Sequence, residues 1–368
     1  MKKKLKIAMF TPYEHTAPPP KNVIRAPQEL WAKLADKLVE KGHKVTLFAP
    51  KGSETKAKSP KNNLDPLSKD KEYQKTLKED VTMSNVKLQR TIYNEIAFAK
   101  FAEEFNNFDI LHSVFIAELI PITALCVKTK ALFTFHDPLN NYKKQSINHF
   151  QKNNINYNYI SNSQMKISGE KNGNIVYNGI DCDKKNFSEK EKGYLFFAGR
   201  MRKIKGPDTA ARLAKKLNLP LLMAGETYLD EKKYIEEEVL PNLTEKIKFI
   251  GMASREKMKK LYKNAKITLM PINAPEPFGL VMIESMACGT PVVAFDNGSP
   301  REIIKHGETG FVVKDEKEME DAIKKIYSMP QDEYVKMRLA CRRHVEENFS
   351  IEKMADEYEK LYYKILNK

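Results

Sequence analysis

The run Glu276-Pro277-Phe278-Gly279-Leu280-Val281-Met282-Ile283-Glu284, continued by Ser285-Met286-Ala287-Cys288-Gly289-Thr290-Pro291-Val292-Val293, decides how this chain is read. Two carboxylates are separated by seven residues, across a Pro-Phe-Gly turn that opens an apolar helix ending at Gly289. The spacing puts the first in the loop before the helix and the second one to two turns into it. Both can face one cleft. Gly279 lets the backbone approach a ligand closely, and the unpaired N–H groups of the first turn present partial positive charge. The segment reads as an anion site flanked by two hydroxyl-binding acids, the chemistry of a sugar joined to a diphosphate. A bare pair of acids at this spacing is ordinarily solvated surface charge; the order loop, helix, strand gives this pair its meaning.

Outward from that run, the second half alternates short apolar segments with helical ones. Strands are expected at 194–198, 221–224, 247–250, 267–270, 292–295 and 311–313. The first half does the same less clearly. Strands at 5–10 and 45–49 bracket a helix over 28–41 that stops at Gly42, and 5–10 is read as a first strand, not a signal peptide. The lysine-rich stretch 51–80 reads as an inserted loop or short helices. Order resumes at 86–91, then a helix over 94–105, a strand at 109–113, a helix over 116–128, and strands at 131–135 and 157–161. Such alternation implies an α/β chain with two Rossmann-like, doubly wound parallel sheets. Polar turn chemistry over 178–192 marks the linker, which places the domains at 1–188 and 189–349, with helix past Pro330 to the end. No Gly-x-Gly-x-x-Gly follows a strand, against a dinucleotide-dependent oxidoreductase.

Ligands in open α/β sheets bind beyond the carboxyl ends of the strands. Phe197-Ala198-Gly199-Arg200 closes one strand, with Lys205-Gly206 shortly after it, so Arg200 and Lys205 can clamp a diphosphate and neutralise a departing one. His136 stands at the end of another strand, before the turn Asp137-Pro138. His112 reads mainly as packing.

These stretches carry a resemblance. The opening run resembles the Glu-x7-Glu signature of the family 4 retaining glycosyltransferases, enzymes of the GT-B fold with two domains facing a cleft, and 197–206 resembles the family's Gly-Arg…Lys-Gly motif. The resemblance implies that Arg200 and Lys205 contact the donor pyrophosphate. Glu276 would bind donor-sugar hydroxyls, together with backbone after Phe278 through Gly279 and Leu280. Glu284 would bind ribose hydroxyls, Gly199 would line the donor site, and His136 would touch the donor sugar. Glu276, His136, Arg200 and Lys205 are the catalytic candidates. It further implies that the helix over about 350–368 packs back on the N-terminal domain. The expected activity is transfer of a hexosyl group from a nucleoside-diphosphate sugar to a hydroxyl acceptor, with neither cofactor nor metal. Asp181-Cys182-Asp183, a literal Asp-x-Asp, sits in the linker and is read as chance.

One loop departs from the family pattern. Where a Gly-Gly turn and Glu are common, this chain has Pro18-Pro19-Pro20-Lys21-Asn22-Val23-Ile24-Arg25-Ala26-Pro27-Gln28. Lys21, Arg25 and Gln28 become the acceptor-side candidates, and side-chain charge can replace backbone donors there. This loop keeps open a second reading, a nucleotide-binding module without transfer activity.

Composition sets the remaining bounds. The 368 residues are 41% hydrophobic and 30% charged, with a formal net charge of +15. No apolar run is long enough to span a bilayer, and four scattered cysteines without ligand spacing suit a reducing compartment, so the cytoplasm is expected. From Pro138 to Gly169 lysines and aromatics occur without an acid. The plain reading is a Lys/Asn-rich solvated surface. The sharper one is peripheral attraction to the anionic inner face of a membrane. No motif supports nucleic-acid binding.

Overall fold

The computed structural model describes the chain apart from residues 1–2, 21–22, 24–25, 81–82, 115–116, 138, 151–153 and 368. It divides into two compact units, Met1–Gly179 with Ile351–Lys368, and Ile180–Ser350. The division falls at 179/180, not at the expected 188/189. Polar composition made 180–188 look like a linker, but its backbone is held. The Ile180 N–H donates to the Phe349 carbonyl at 2.9 Å, and Arg342 donates to the Cys182 and Asp183 carbonyls at 2.6 and 3.2 Å. The Asp-x-Asp at 181–183 is thus clasped through its backbone.

In the first unit six parallel strands, β1 (Lys6–Phe10), β2 (Lys44–Phe48), β3 (Ile110–Val114), β4 (Lys130–Phe135), β5 (Ile155–Tyr159) and β6 (Asn174–Ile175), lie in the order β2-β1-β3-β4-β5-β6. Alternate residues go to opposite faces. Ile7, Met9, Val45, Leu47 and Leu132 pack under the helices Ala26–Glu40 and Ile351–Leu366. Ala8, Phe10, Leu111, Phe133 and Phe135 pack under the helices that follow β2 and β3. The two-residue β6 was too short for any periodicity to reveal. Residues 86–91 are not separate from the following helix: one helix runs Ser84–Phe101, because Asn94, Ala97, Phe98 and Phe101 bury one face and nothing between 86 and 94 breaks it.

The Ile351–Leu366 helix is joined to this sheet by polar contacts within an apolar core. His112 on β3 bonds the Tyr362 hydroxyl through Nδ1 at 2.7 Å and the Thr134 hydroxyl through Nε2 at 2.8 Å. Asn158 donates to the Tyr358 hydroxyl at 3.3 Å. Trp31 lies edge-on to His112 at 4.6 Å and to His136 at 6.3 Å. Burial keeps both histidines neutral: it pushes His136 down to about 3, and His112 well below its ordinary value, with a smaller contribution from His136.

The second unit also has six parallel strands: β7 (Tyr194–Ala198), β8 (Leu221–Ala224), β9 (Ile247–Phe249), β10 (Ala265–Met270), β11 (Val292–Phe295) and β12 (Gly310–Val313), in the order β12-β11-β10-β7-β8-β9. The chain starts in the middle at β7, builds outward through β8 and β9, then returns to the other side of β7 with β10. The order therefore reverses between β7 and β10. This unit is closed by the helix Gln331–Asn348, whose Arg338 is fully buried. Its guanidinium donates to the carbonyls of Ser188 at 2.7 Å, Lys263 at 2.8 Å, Ala265 at 3.2 Å and Cys288 at 3.3 Å, and to the Tyr334 hydroxyl at 3.0 Å. It gathers strand and helix ends from four places in the chain onto one guanidinium; the Ala265 carbonyl also accepts from the Thr290 hydroxyl at 3.1 Å.

Two outcomes are expected. Arg338→Leu strands several buried carbonyls and should lower the unfolding free energy by roughly 2–4 kcal/mol, against less than about 0.5 kcal/mol for the exposed Arg343→Ala, read as urea midpoints. The buried histidines take no proton in the folded unit but do so when unfolded below their ordinary 6.5. The contribution of the two histidines is therefore complete above pH 6.5 and is lost as pH drops below it, down to about 3 for His136, by about 1.4 kcal/mol per pH unit for each histidine still unprotonated in the folded unit. Urea melts at stepped pH check this, and His136→Asn should flatten the slope by about one histidine's share.

Candidate active site

The chemistry-bearing residues of the second unit collect where the strand order reverses, beyond the ends of β7 and β10. After β7 the Gly199 N–H donates to the Ala224 carbonyl at 3.0 Å and the Met201 N–H to the Glu226 carbonyl at 2.9 Å. The turn is thereby laid against the end of β8. It can lie that close only because residue 225 is glycine: a Cβ there would stand 1.7 Å from the Gly199 oxygen. Arg200 points outward from this turn, exposed and with no ion pair among the described residues. Lys203–Lys205 form a short 3-10 turn capped by Gly206, from which the helix Pro207–Lys216 departs. The Asn273 N–H donates to the Ile204 carbonyl at 2.9 Å, joining this loop to the one after β10.

Lys205 and Glu276, the two residues predicted from separate motifs, meet. Lys205 Nζ lies 2.6 Å from Glu276 Oε2, and both side chains are half-buried. Glu276 is fixed from behind. Its N–H donates to the Asn297 carbonyl and its carbonyl accepts from the Ser299 N–H, both at 3.0 Å. Gly298 between them has a φ of +94°, and a Cβ there would stand 2.4 Å from the Glu276 nitrogen. Ser299 Oγ donates to the Phe278 carbonyl at 2.7 Å. The Phe278 ring is buried and edge-on to Phe349, so this side chain packs, and the exposed chemistry of the loop belongs to its neighbours. Gly279 starts the helix Leu280–Ala287 in the left-handed region, at a φ of +81°. Glu284 lies on its second turn, half-buried, and accepts from the Tyr262 hydroxyl at 3.1 Å. Burial and the nearby Glu284 push the Tyr262 hydroxyl well up, so it stays a donor.

Reading the sequence missed Tyr262, which no motif marks, and the turn 297–299. The latter had a signal: Asn297-Gly298-Ser299-Pro300 after a strand is turn chemistry.

In the first unit His136 follows β4, buried and uncharged at neutral pH. It can exchange hydrogen bonds there but holds no proton to give as an imidazolium. His112 lies wholly inside the core, as packing. Gln28 is turned inward, contrary to its expected place facing an acceptor: its amide donates to the Pro12 and His15 carbonyls, both at 2.9 Å, and so shapes the loop after β1. Lys21 and Arg25 lie outside the described residues.

Comparison with known proteins follows the same division. The family model described as Glycosyltransferase Family 4 matches residues 30–184, and that described as Glycosyl transferases group 1 matches 181–347. An uncharacterized glycosyltransferase of Methanocaldococcus jannaschii is 33% identical over 159 residues, which is 38% of this chain and 40% of that protein. The alignments span between 26% and 59% of the length of the first curated relatives. Among solved structures, sucrose-phosphate synthase from Thermosynechococcus elongatus superposes with a TM-score of 0.74 at 18% identity, covering 99% of this chain and 100% of that one. Anabaena HepE in complex with UDP-glucose superposes at 0.66 with 16% identity, covering 97% and 99%. With both sheets in the GT-B arrangement of strands and two adjoining family models running from 30 to 347, this chain belongs to the family 4 glycosyltransferases.

Proposed function

We propose that the protein transfers a hexosyl group from a nucleoside-diphosphate sugar to an acceptor hydroxyl, with retention at the anomeric carbon. The observation that carries this reading is the Lys205–Glu276 pair at the reversal of strand order. Two charges that neutralise each other are set where a diphosphate and a sugar would lie side by side. A donor offers each a new partner. The ammonium turns to the phosphate, beside the exposed Arg200, and the carboxylate accepts from sugar hydroxyls. Glu284, oriented by Tyr262, takes the ribose hydroxyls. That a structural neighbour was crystallised with UDP-glucose supports a donor of this class.

In the reaction the bond from the anomeric carbon to the diphosphate breaks as the acceptor oxygen approaches from the same face. The leaving phosphate oxygen takes the acceptor proton. Arg200 and Lys205 stabilise the charge that grows on the leaving group, and fixed donors of this kind account for much of such a rate enhancement. His136, held neutral by burial, keeps the capacity to hydrogen-bond a sugar hydroxyl but has no proton to give as an imidazolium. The reading assigns no step to a metal, because Arg200, Lys205 and the N-terminus of the Leu280–Ala287 helix supply the positive charge. The cytoplasmic setting rests on cysteine usage, four cysteines that form no disulfide with one another.

Calorimetric titration with UDP, GDP and ADP tests the donor site. Arg200→Ala and Lys205→Ala should each weaken the nucleotide that binds by on the order of 1–3 kcal/mol. Unchanged affinity in both would remove the site. Glu284→Ala should weaken nucleotide binding, while Glu276→Ala should leave it nearly intact and lower turnover of the sugar conjugate. Binding without any turnover would favour the module that keeps the site but has lost transfer, a reading the glycine-free loop at 18–28 favours.

A further inference from the structure

The helix Ser84–Phe101 is apolar on two opposite sides. Ala97, Phe98 and Phe101 are buried against the sheet. On the outer side Leu88, Ile92 and Ile96 follow one another at a spacing of four, which makes a single row along the helix, and they are 58%, 47% and 53% exposed. The row is about 12 Å long. An outward Leu or Ile is ordinary by itself, but three aligned on one helix are not. Later helices on the same face of the sheet add Leu125, 71% exposed, and Tyr142, 80% exposed.

The opposite face of the same sheet has a different surface. The helices Ala26–Glu40 and Ile351–Leu366 expose no large hydrophobic residue among those described, and present ion pairs such as Lys37–Glu352 at 3.0 Å and Lys353–Glu357 at 3.3 Å. Charge also separates the two. From 118 to 169, the stretch that supplies the later helices of the apolar face, Glu118 and Asp137 stand against six lysines, and Glu118 lies 3.7 Å from Lys143. Beside the row itself Lys87 and Lys100 are exposed. Glu95 is half-buried at its edge, and Glu103 and Glu104 are exposed beyond the helix end.

We propose that this face of the first unit rests on an anionic lipid surface, with Leu88, Ile92 and Ile96 entering the acyl boundary and the lysines meeting the headgroups. The charge pattern selects this occupant over a second copy of the chain, which would bring the same excess of cations against itself. The row also lacks the aromatic and arginine anchors that carry protein interfaces. This attachment is independent of the donor site and needs neither nucleotide nor turnover.

The test is cosedimentation of the full chain with phosphatidylglycerol–phosphatidylcholine vesicles and with phosphatidylcholine vesicles alone, at low and high salt. Expected are binding to the anionic vesicles, little to the neutral ones, and release by salt. The triple variant Leu88→Ser, Ile92→Ser, Ile96→Ser, at exposed positions and checked for folding by circular dichroism, should lose on the order of tenfold or more in partition. Lys87→Ser with Lys100→Ser, both exposed beside the row, should weaken only the binding to anionic vesicles. No binding by the native chain, equal binding to both compositions, or unchanged binding of the triple variant would each overturn the proposal. So would a concentration-dependent dimer in lipid-free sedimentation velocity that the triple variant abolishes, since that identifies a second copy as the occupant.

Discussion

The second unit is organised by one constraint: a parallel sheet begun at its centre must turn back on itself. Because β10 returns to the far side of β7, the loops leaving these neighbouring strands run to opposite sides and open a gap above the sheet. The site occupies that gap. Arg200 and Lys205 come from one loop and Glu276 from the other, and the Lys205–Glu276 contact spans the division. Half-burial gives this pair more weight than a surface ion pair, and both charges lie within reach of a ligand.

Holding two loops at a gap requires backbone to approach backbone. Gly225 admits the Gly199 carbonyl, Gly206 lies against the Pro271 carbonyl, and Gly298 lies against Glu276. Each contact excludes a side chain, so the catalytic candidates project from a mesh of peptide groups whose positions leave little freedom. The first unit solves a different problem. Its polar residues under the C-terminal helix, His112, Thr134, Asn158 and the two tyrosines, bond one another, which offsets most of the cost of burying them; Asn158 Oδ1 alone of this set accepts no hydrogen bond among the described residues.

Much of this was legible in the sequence because the second unit follows simple rules. Fully buried parallel strands read as apolar runs, so β7, β8 and β11 were expected at the residues where they occur. Glu276, Glu284, Arg200 and Lys205 were visible because loop, helix and strand flank them in order. What stayed hidden depends on contacts distant in sequence. Tyr262 supports Glu284 from another helix, and Gln28 turns inward to carbonyls that precede it by more than a dozen residues. The boundary was misplaced for the same reason: 180–188 is polar in composition but is anchored by Arg338 and Arg342 from the far end of the unit. Helix Ser84–Phe101 misled because apolar residues on both its sides blur the helical period.

The division of the chain also bears on the order in which it is made. The second unit is an insertion, complete by Ser350, whereas the first awaits Ile351–Leu366 to cover Trp31 and supply the Tyr358 and Tyr362 hydroxyls. During synthesis the earlier unit is therefore the later one to be finished. Until its last helix emerges, its sheet holds an uncovered apolar face and a histidine lacking one of its two partners. A nascent chain stalled after Ser350 would carry a finished second unit and an unfinished sheet, which is the form a chaperone would meet.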